Sequence, residues 1–203
     1  MASNHEKMRE EMSLKFLECD QEKIVRAFSL ESDEDHIFLD FLGDEMRIVR
    51  SSGTVETKQG ECWASSGFDD SMCVYDLLTF SPGPVPPSGE YVSLGSLAAL
   101  SGASFSHTGG SFFSKQEERL AGKAQQLKDI FVSRGWEICG GADAACMVPV
   151  FSGLKLMLRF WDADEDFPAS VQFMWDRSVL LMMHYETVWF ASSAVIRRVM
   201  SDM

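Results

Sequence analysis

The stretch LKLMLRFWDADEDFPASVQFMWD, residues 154–176, contains two strand patterns joined by an acidic connection. In residues 154–161 apolar side chains alternate with others, and Lys155 and Arg159 fall on the side opposite the flanking apolar residues. Such alternation is typical of a strand with one buried face. Residues 169–176 form a second strand candidate and VLLMMHY, residues 179–185, a third. Short connections between successive strands favour antiparallel pairing.

Helical patterns lie on both sides of this region. Residues 4–18 place apolar side chains four apart between charged ones, and acidic residues start a second helix at Asp69. The capping-box pattern S-x-x-E at Ser114 predicts a third helix that runs to about Arg134, and residues 187–200 form a fourth. The sequence therefore predicts an α+β fold, with a mixed, largely antiparallel sheet of about six strands packed with about four helices.

A proline-rich stretch, residues 81–92, separates two of these helical patterns. Its four prolines and two glycines exclude a helix, so it is either a linker between domains or an ordered loop within one. Neither side has an obvious core of its own, which favours the loop. We predict an N-terminal helical segment over residues 1–30 and a single α+β domain over residues 31–203.

Charge and composition restrict the possible partners. The 203 residues include 18 Lys and Arg against 31 Asp and Glu, a net charge of −13. Phosphate backbones and anionic lipid repel such a chain, so we expect no nucleic-acid or membrane partner. Residues 1–12 lack the basic start and apolar run of a signal peptide, and no apolar run reaches the length of a membrane span. We expect a soluble, cytoplasmic protein.

The five cysteines indicate reduced, mostly buried thiols rather than a metal centre. Structural zinc and iron–sulfur sites generally contain a C-x-x-C pair, and this sequence has none. The nearest approach is Cys139 and Cys146. We therefore expect no iron–sulfur cluster in this chain.

Residues 140–186 carry a pattern of paired glycines, an acidic residue followed by a small one, a proline, a strand ending in Trp, an acidic stretch before Phe-Pro, and a strand ending in Asp. These features fall on Gly140-Gly141, Asp143-Ala144, Pro149, Trp161, Asp164 to Asp166, Phe167-Pro168 and Asp176. The pattern resembles the bacterial domain-of-unknown-function family 3786, and residues 88–100 are similar to its upstream segment. Some members are similar to proteins of anaerobic bacteria with an attached four-cysteine iron–sulfur domain of the kind seen beside corrinoid proteins. The resemblance implies a setting in anaerobic one-carbon or corrinoid metabolism, with a redox or corrinoid protein as a partner.

The stretch FSHTGGSFFSKQEERL, residues 105–120, places His107, Gly109 and Gly110 ahead of a helix. A histidine beside glycines at a helix start either binds a cofactor or anion, or only forms the turn and cap of that helix. The corrinoid pattern D-x-H-x-x-G is half present, because Gly110 has the right spacing but Phe105 replaces the acid. That acid matters because it holds the second nitrogen of the imidazole.

Other candidate contacts to a cofactor lie in the C-terminal third. His184 follows two methionines, which is compatible with a haem or copper neighbourhood or with plain core packing. Trp161 and Trp175, with Phe173 and Trp189, either line a pocket for a flat ligand or belong to the core.

The acidic run at residues 162–166 is the candidate metal site. It reads D-x-D-x-D, like the start of a calcium loop, but Phe167 stands where the sharp turn needs glycine. The run is therefore either a solvated hairpin loop or a metal site built from Asp164, Glu165 and Asp166. No nucleophile elbow G-x-S-x-G and no H-E-x-x-H zinc motif is present.

Three functions remain open. The leading hypothesis is a non-catalytic binding protein that holds an organic or tetrapyrrole-like cofactor, a corrinoid first, with His107 or His184 nearby. The second is a metal-assisted hydrolase or transferase that uses the acidic run with a histidine. The third is a protein–protein adaptor for a redox or methyl-transfer partner, without a ligand of its own.

Overall fold

In a computed structural model, which describes residues 4–102 and 111–203, the chain folds into two antiparallel sheets and a set of helices. The first sheet has the order β1-β2-β3-β4, with β1 (His36–Phe41), β2 (Asp44–Val49), β3 (Val55–Gln59) and β4 (Cys62–Ser65). The second has the order β5-β9-β8-β7-β6, with β5 (Tyr91–Ser93), β6 (Glu137–Ile138), β7 (Ala144–Phe151), β8 (Leu154–Trp161) and β9 (Ser170–Asp176).

The helices are α1 (Asn4–Leu17), α2 (Gln21–Phe28), α3 (Phe68–Phe80), α4 (Leu94–Ser101), α5 (Ser114–Leu120), α6 (Ala124–Ser133) and α7 (Tyr185–Ser201), and a 3-10 helix covers Arg177–Leu181. The α+β class is confirmed. The described residues form two sheets and seven α-helices where the sequence indicated one sheet and about four helices, because several elements are too short to leave a periodic pattern. Within these residues no helix is both long and apolar enough to cross a membrane.

The two sheets meet at the β1–β2 hairpin. Residues Ile37, Leu39 and Phe41 alternate along β1 and face the core. The two-residue turn that follows has positive φ at Leu42 (54°) and Gly43 (83°), as the tightest hairpins require. The Leu42 amide donates to the carbonyl of Val150 on β7 over 3.0 Å, which joins the first sheet to the second.

The predicted third helix is broken in two. Gly122, with φ of 77°, lies in the turn between α5 and α6. The predicted capping box is wrong, because the buried carboxylate of Glu117 accepts instead from Ser111 Oγ (2.8 Å) and from the amide of Val171 on β9 (2.9 Å). Glu117 thus attaches the start of α5 to the second sheet rather than capping its own helix.

The strand predicted over residues 179–185 is also wrong. The carboxylate of Asp176 accepts from the amide of Ser178, ends β9 and starts the 3-10 helix. Met182 and Met183 follow it and are fully buried in the core. A short, uniformly apolar run carries no period that separates a strand from a buried helical turn, so the sequence pattern misled here.

A buried arginine fixes the antiparallel pair of helices α3 and α7. Arg198, near the end of α7, is 8% exposed and donates from Nη1 to Asp70 near the start of α3 over 2.8 Å. Its Nε donates to Asp44, the first residue of β2, over 2.8 Å. Burial would lower the pKa of Arg198, but Asp70 and Asp44 outweigh it and raise that pKa. One permanent charge therefore connects two helices and the first sheet.

We expect Arg198→Met to lower the free energy of unfolding by about 3–5 kcal/mol, because it leaves the buried carboxylate of Asp70 with only the longer contact to Arg197, at 3.5 Å. Arg177→Met is the matched control, since the Arg177–Glu90 pair is exposed on both sides and screened by water, so its loss should cost much less. Urea denaturation measures both variants. Equal, small losses would contradict a stabilising role for Arg198.

Asp176 anchors the proline-rich stretch. It is 1% exposed, and its carboxylate accepts from the amide and hydroxyl of Ser88 (3.0 and 2.8 Å) and from the amide of Gly89 (2.7 Å). Burial would raise the pKa of Asp176, but hydrogen bonds from Ser178 and Ser88 outweigh burial and hold this pKa well below its usual range. The end of the 81–92 stretch is thereby fixed to β9.

We expect Asp176→Asn to cost about 2–3 kcal/mol of unfolding free energy at pH 7. Because the folded-state pKa is depressed, this stabilisation is complete above the unfolded-state pKa of about 4 and is lost as the pH falls toward the folded-state value. The difference between wild type and variant in urea denaturation should therefore narrow between pH 5 and pH 2. A difference that does not change with pH would show that the charge of Asp176 is unimportant.

Candidate functional site

The site is a histidine–carboxylate pair at the start of α7. Asp76, buried on α3, accepts the backbone N–H of His184 with one carboxylate oxygen over 2.7 Å. Its other oxygen lies 2.7 Å from Nδ1 of the same histidine. The side chain of His184 is 54% exposed. A solvent-facing imidazole is thus held from behind by a buried carboxylate.

The start of α7 explains why an acid is favourable at position 76. His184 is the N-cap residue of α7, and its side chain makes no capping hydrogen bond. The first amides of a helix need acceptors, and a negative charge is favourable at that end. Asp76 supplies both from the neighbouring helix, which offsets the cost of burying a carboxylate in the otherwise apolar middle of α3.

An aromatic ring lies against the histidine. The ring of Phe80, the last residue of α3, is centred 4.1 Å from the imidazole of His184 and is 43% exposed. The imidazole therefore contacts both a buried carboxylate and an exposed aromatic ring. Phe80 directly precedes the proline-rich stretch 81–92 in the sequence.

This geometry determines which nitrogen of His184 is available. A carboxylate only accepts hydrogen bonds, so Nδ1 donates to Asp76 and Nε2 keeps its lone pair in the neutral ring. Within the described residues Nε2 has no hydrogen-bond partner. An imidazole held in this way can bind a metal ion or accept a proton. The acid that the corrinoid pattern lacks at Phe105 is thus present for His184, supplied by Asp76.

An aromatic cleft of about 200 Å³ lies at the same end of α7. Phe173 and Trp189, both named from the sequence, line it together with Phe112 and Phe113, which sequence reasoning missed. Ring centroids are 4.9 Å apart for Phe112 and Trp189, and 5.1 Å apart for Phe113 and Phe173. The adjacent phenylalanines after Gly110 and Ser111 in the sequence were the available signal.

The cleft and the histidine are connected through the first turn of α7. The hydroxyl of Tyr185, next to His184, donates to the carbonyl of Leu94 over 3.2 Å. Leu94 also lines the aromatic cleft.

The other cofactor contacts predicted from the sequence are His107, Gly109, Gly110, Trp161 and Trp175. His107, Gly109 and Gly110 lie outside the described residues. Trp175 is fully buried and donates to the hydroxyl of Ser192 over 3.1 Å, so its ring belongs to the core. Trp161 ends β8 and is half-buried. The roles of these residues in cofactor binding stay predictions.

The acidic run forms the loop between β8 and β9. One carboxylate oxygen of Asp164 accepts from the amides of Asp166 (2.9 Å) and Phe167 (2.7 Å), which folds the loop. Glu165 and Asp166 are exposed. Over residues 4–102 and 111–203 no group of three or more His, Cys, Asp or Glu side chains is placed to hold a metal ion. The metal site at Asp164, Glu165 and Asp166 stays a prediction.

The five cysteines are free thiols. Burial raises the pKa of Cys73 and of Cys146 well above the usual value. Both thiols therefore stay protonated at neutral pH and are poor metal ligands or nucleophiles.

The fold and the site define an α+β protein with a half-exposed histidine held by a buried carboxylate. The chain belongs to the family described as Domain of unknown function (DUF3786), whose model matches residues 20–198. This confirms the resemblance carried by residues 140–186. No curated protein and no solved structure matches the chain significantly.

We expect Asp76→Ala to cost about 1–3 kcal/mol of unfolding free energy, because it removes the acceptor for the backbone amide of His184, the N-cap residue of α7. His184→Ala should cost less than about 1 kcal/mol, because the exposed ring is lost while the bond between Asp76 and the backbone remains. Thermal and urea unfolding measure both. A larger loss for His184→Ala would show that the imidazole itself serves stability rather than ligand binding.

Proposed function

We propose that the protein is a non-catalytic, cytoplasmic binding protein that holds a metal-bearing, tetrapyrrole-like cofactor, a corrinoid first, through Nε2 of His184. The observation that carries the proposal is the pair of Asp76 and His184, with 2.7 Å between the carboxylate and Nδ1.

The chemistry of the pair supports a metal ligand. Histidines that bind metals usually donate their other nitrogen to a carboxylate or carbonyl, which fixes the ring and raises the basicity of the ligating nitrogen. Asp76 does this for His184, and the half-exposed ring admits a large ligand from solvent. A corrinoid, when bound, would supply a cobalt ion, and His184 is the residue that would hold it.

The surroundings support a flat organic ligand. The ring of Phe80 lies next to the imidazole, and the cleft of Phe112, Phe113 and Trp189 offers further aromatic faces at the same end of α7. Four clefts around the described residues have volumes of about 200 to 430 Å³, too small to enclose a whole corrin ring with its side chains. A macrocycle held by His184 would therefore not fit inside any of these four clefts.

The metabolic setting is inferred from the family resemblance and not from the geometry of the site. Relatives with attached iron–sulfur domains of the kind seen beside corrinoid proteins suggest anaerobic metabolism and a redox or methyl-transfer partner. The alternative function is a protein–protein adaptor without a ligand of its own. The following measurement distinguishes this adaptor from a corrinoid-binding protein.

We expect protein incubated with excess cobalamin without oxygen, and then desalted, to retain about one equivalent by visible absorbance. His184→Ala should weaken retention at least tenfold, and Asp76→Asn about 10–100-fold, as is usual for the partner that orients a metal ligand. His36→Ala is the matched control, because His36 is also paired with an acid, Asp33, at 3.3 Å, but on the first sheet. It should bind like wild type.

A colourless wild-type protein would contradict the proposal and favour the adaptor. Full retention by His184→Ala would show that His184 is not the ligand, and His107→Ala would then test the other histidine named from the sequence.

A further inference from the structure

A separate cleft lies where the two sheets meet. It has a volume of about 390 Å³ and is bounded by β1, the end of α2 and the turn between β7 and β8. Four of its lining side chains are aromatic, namely Phe28, Phe38, Trp63 and Phe151. Its volume lies within the range of small-molecule sites. None of its lining residues takes part in the histidine site.

The charged side chains that line the cleft are all acidic. Glu31, Asp40 and Glu45 line it, and no lysine, arginine or histidine does so among the described residues. Glu45 is paired with Lys58 at 2.5 Å. Glu31 and Asp40 form no ion pair within residues 4–102 and 111–203. Two carboxylates beside aromatic rings are thus left without a counter-charge.

One aromatic ring that lines the cleft, that of Trp63, already contacts a cationic side chain of the protein. The guanidinium carbon of Arg47 lies 4.5 Å from the ring centroid of Trp63, and Glu56 holds the same arginine at 2.7 Å. The ring of Phe38 is 6.3 Å from that of Trp63. Attraction between a cation and an aromatic face is favourable in such a geometry. The wall is therefore suited to positive charge.

We propose that this cleft binds an organic cation, an alkylammonium or guanidinium group carried by a small molecule or by a basic peptide. Glu31 and Asp40 pair with the charge, and Phe38 and Trp63 contact the alkyl part. The proposal does not depend on cofactor binding at His184.

Calorimetric titration with cadaverine at low ionic strength tests the proposal, and 1,5-pentanediol is the uncharged probe of the same shape. We expect saturable one-to-one binding of cadaverine and at least tenfold weaker binding of the diol. The double variant Glu31→Gln, Asp40→Asn should bind cadaverine at least tenfold more weakly, and Phe38→Leu about threefold more weakly. Both acids are exposed, so the double variant keeps its fold.

The matched control is Glu118→Gln, Asp129→Asn, which removes the same charge from exposed positions on α5 and α6. It should bind cadaverine like wild type. Equal weakening by both double variants would overturn the proposal, since it would mean attraction by net charge alone.

A second titration, with acetyl-Lys-Lys-Lys-amide, distinguishes the source of the cation. Tighter binding of this peptide than of cadaverine assigns the cleft to a basic peptide, and tighter binding of cadaverine assigns it to a small amine. The absence of saturable binding for both probes would also overturn the proposal.

Discussion

The ion pair between Arg198 and Asp70 is the interaction on which the rest of the arrangement depends. It fixes the end of α7 against the start of α3, so that the two helices run antiparallel with a defined register. The same guanidinium reaches Asp44, so the first sheet takes its position from the helix pair. Because this register is fixed at one end, the opposite end of the pair brings Asp76 next to His184.

The two ends of the helix pair contain similar charged groups that differ in their burial. At one end the charges of Arg198 and Asp70 are buried and fully paired, which favours stability and a single register. At the other end Asp76 is buried but His184 is half-exposed. A ligand group works best when its own rotamer is locked by a second residue on a rigid element. The helix pair meets this requirement, because the carboxylate that orients the imidazole is itself fixed in the middle of α3.

Much of the fold could be predicted from local patterns. Strand β8 has the bounds that its alternation indicated, and β9 begins one residue after its predicted start. Helix α7 extends two residues before the predicted start and one beyond the predicted end. Two local errors have different causes. Residues 179–185 form an apolar run too short to carry a period. At Ser114 the outcome is decided by a distant group, because the amide of Val171 donates to Glu117. A single sequence contains no signal for such pairs.

The candidate site was only half predictable. His184 was named from its neighbours, but its partner lies 108 positions earlier in the chain. The one available signal was an acid, Asp76, inside the apolar stretch of α3, where a charge is costly unless something pairs with it. The anchoring of Ser88 and Gly89 by Asp176 likewise joins two segments that the resemblance had indicated separately.

The most direct test of this account is electron paramagnetic resonance of the protein loaded with cobinamide, a corrinoid without a nitrogenous base of its own, in the Co(II) state. If His184 binds the cobalt, its nitrogen splits each cobalt line into three, and labelling all histidines with nitrogen-15 reduces the three lines to two. We expect this pattern in the wild-type protein and its loss in His184→Ala. Cobalt lines without nitrogen splitting in the wild-type protein, or splitting that persists in His184→Ala, would contradict the assignment of His184 as the metal ligand.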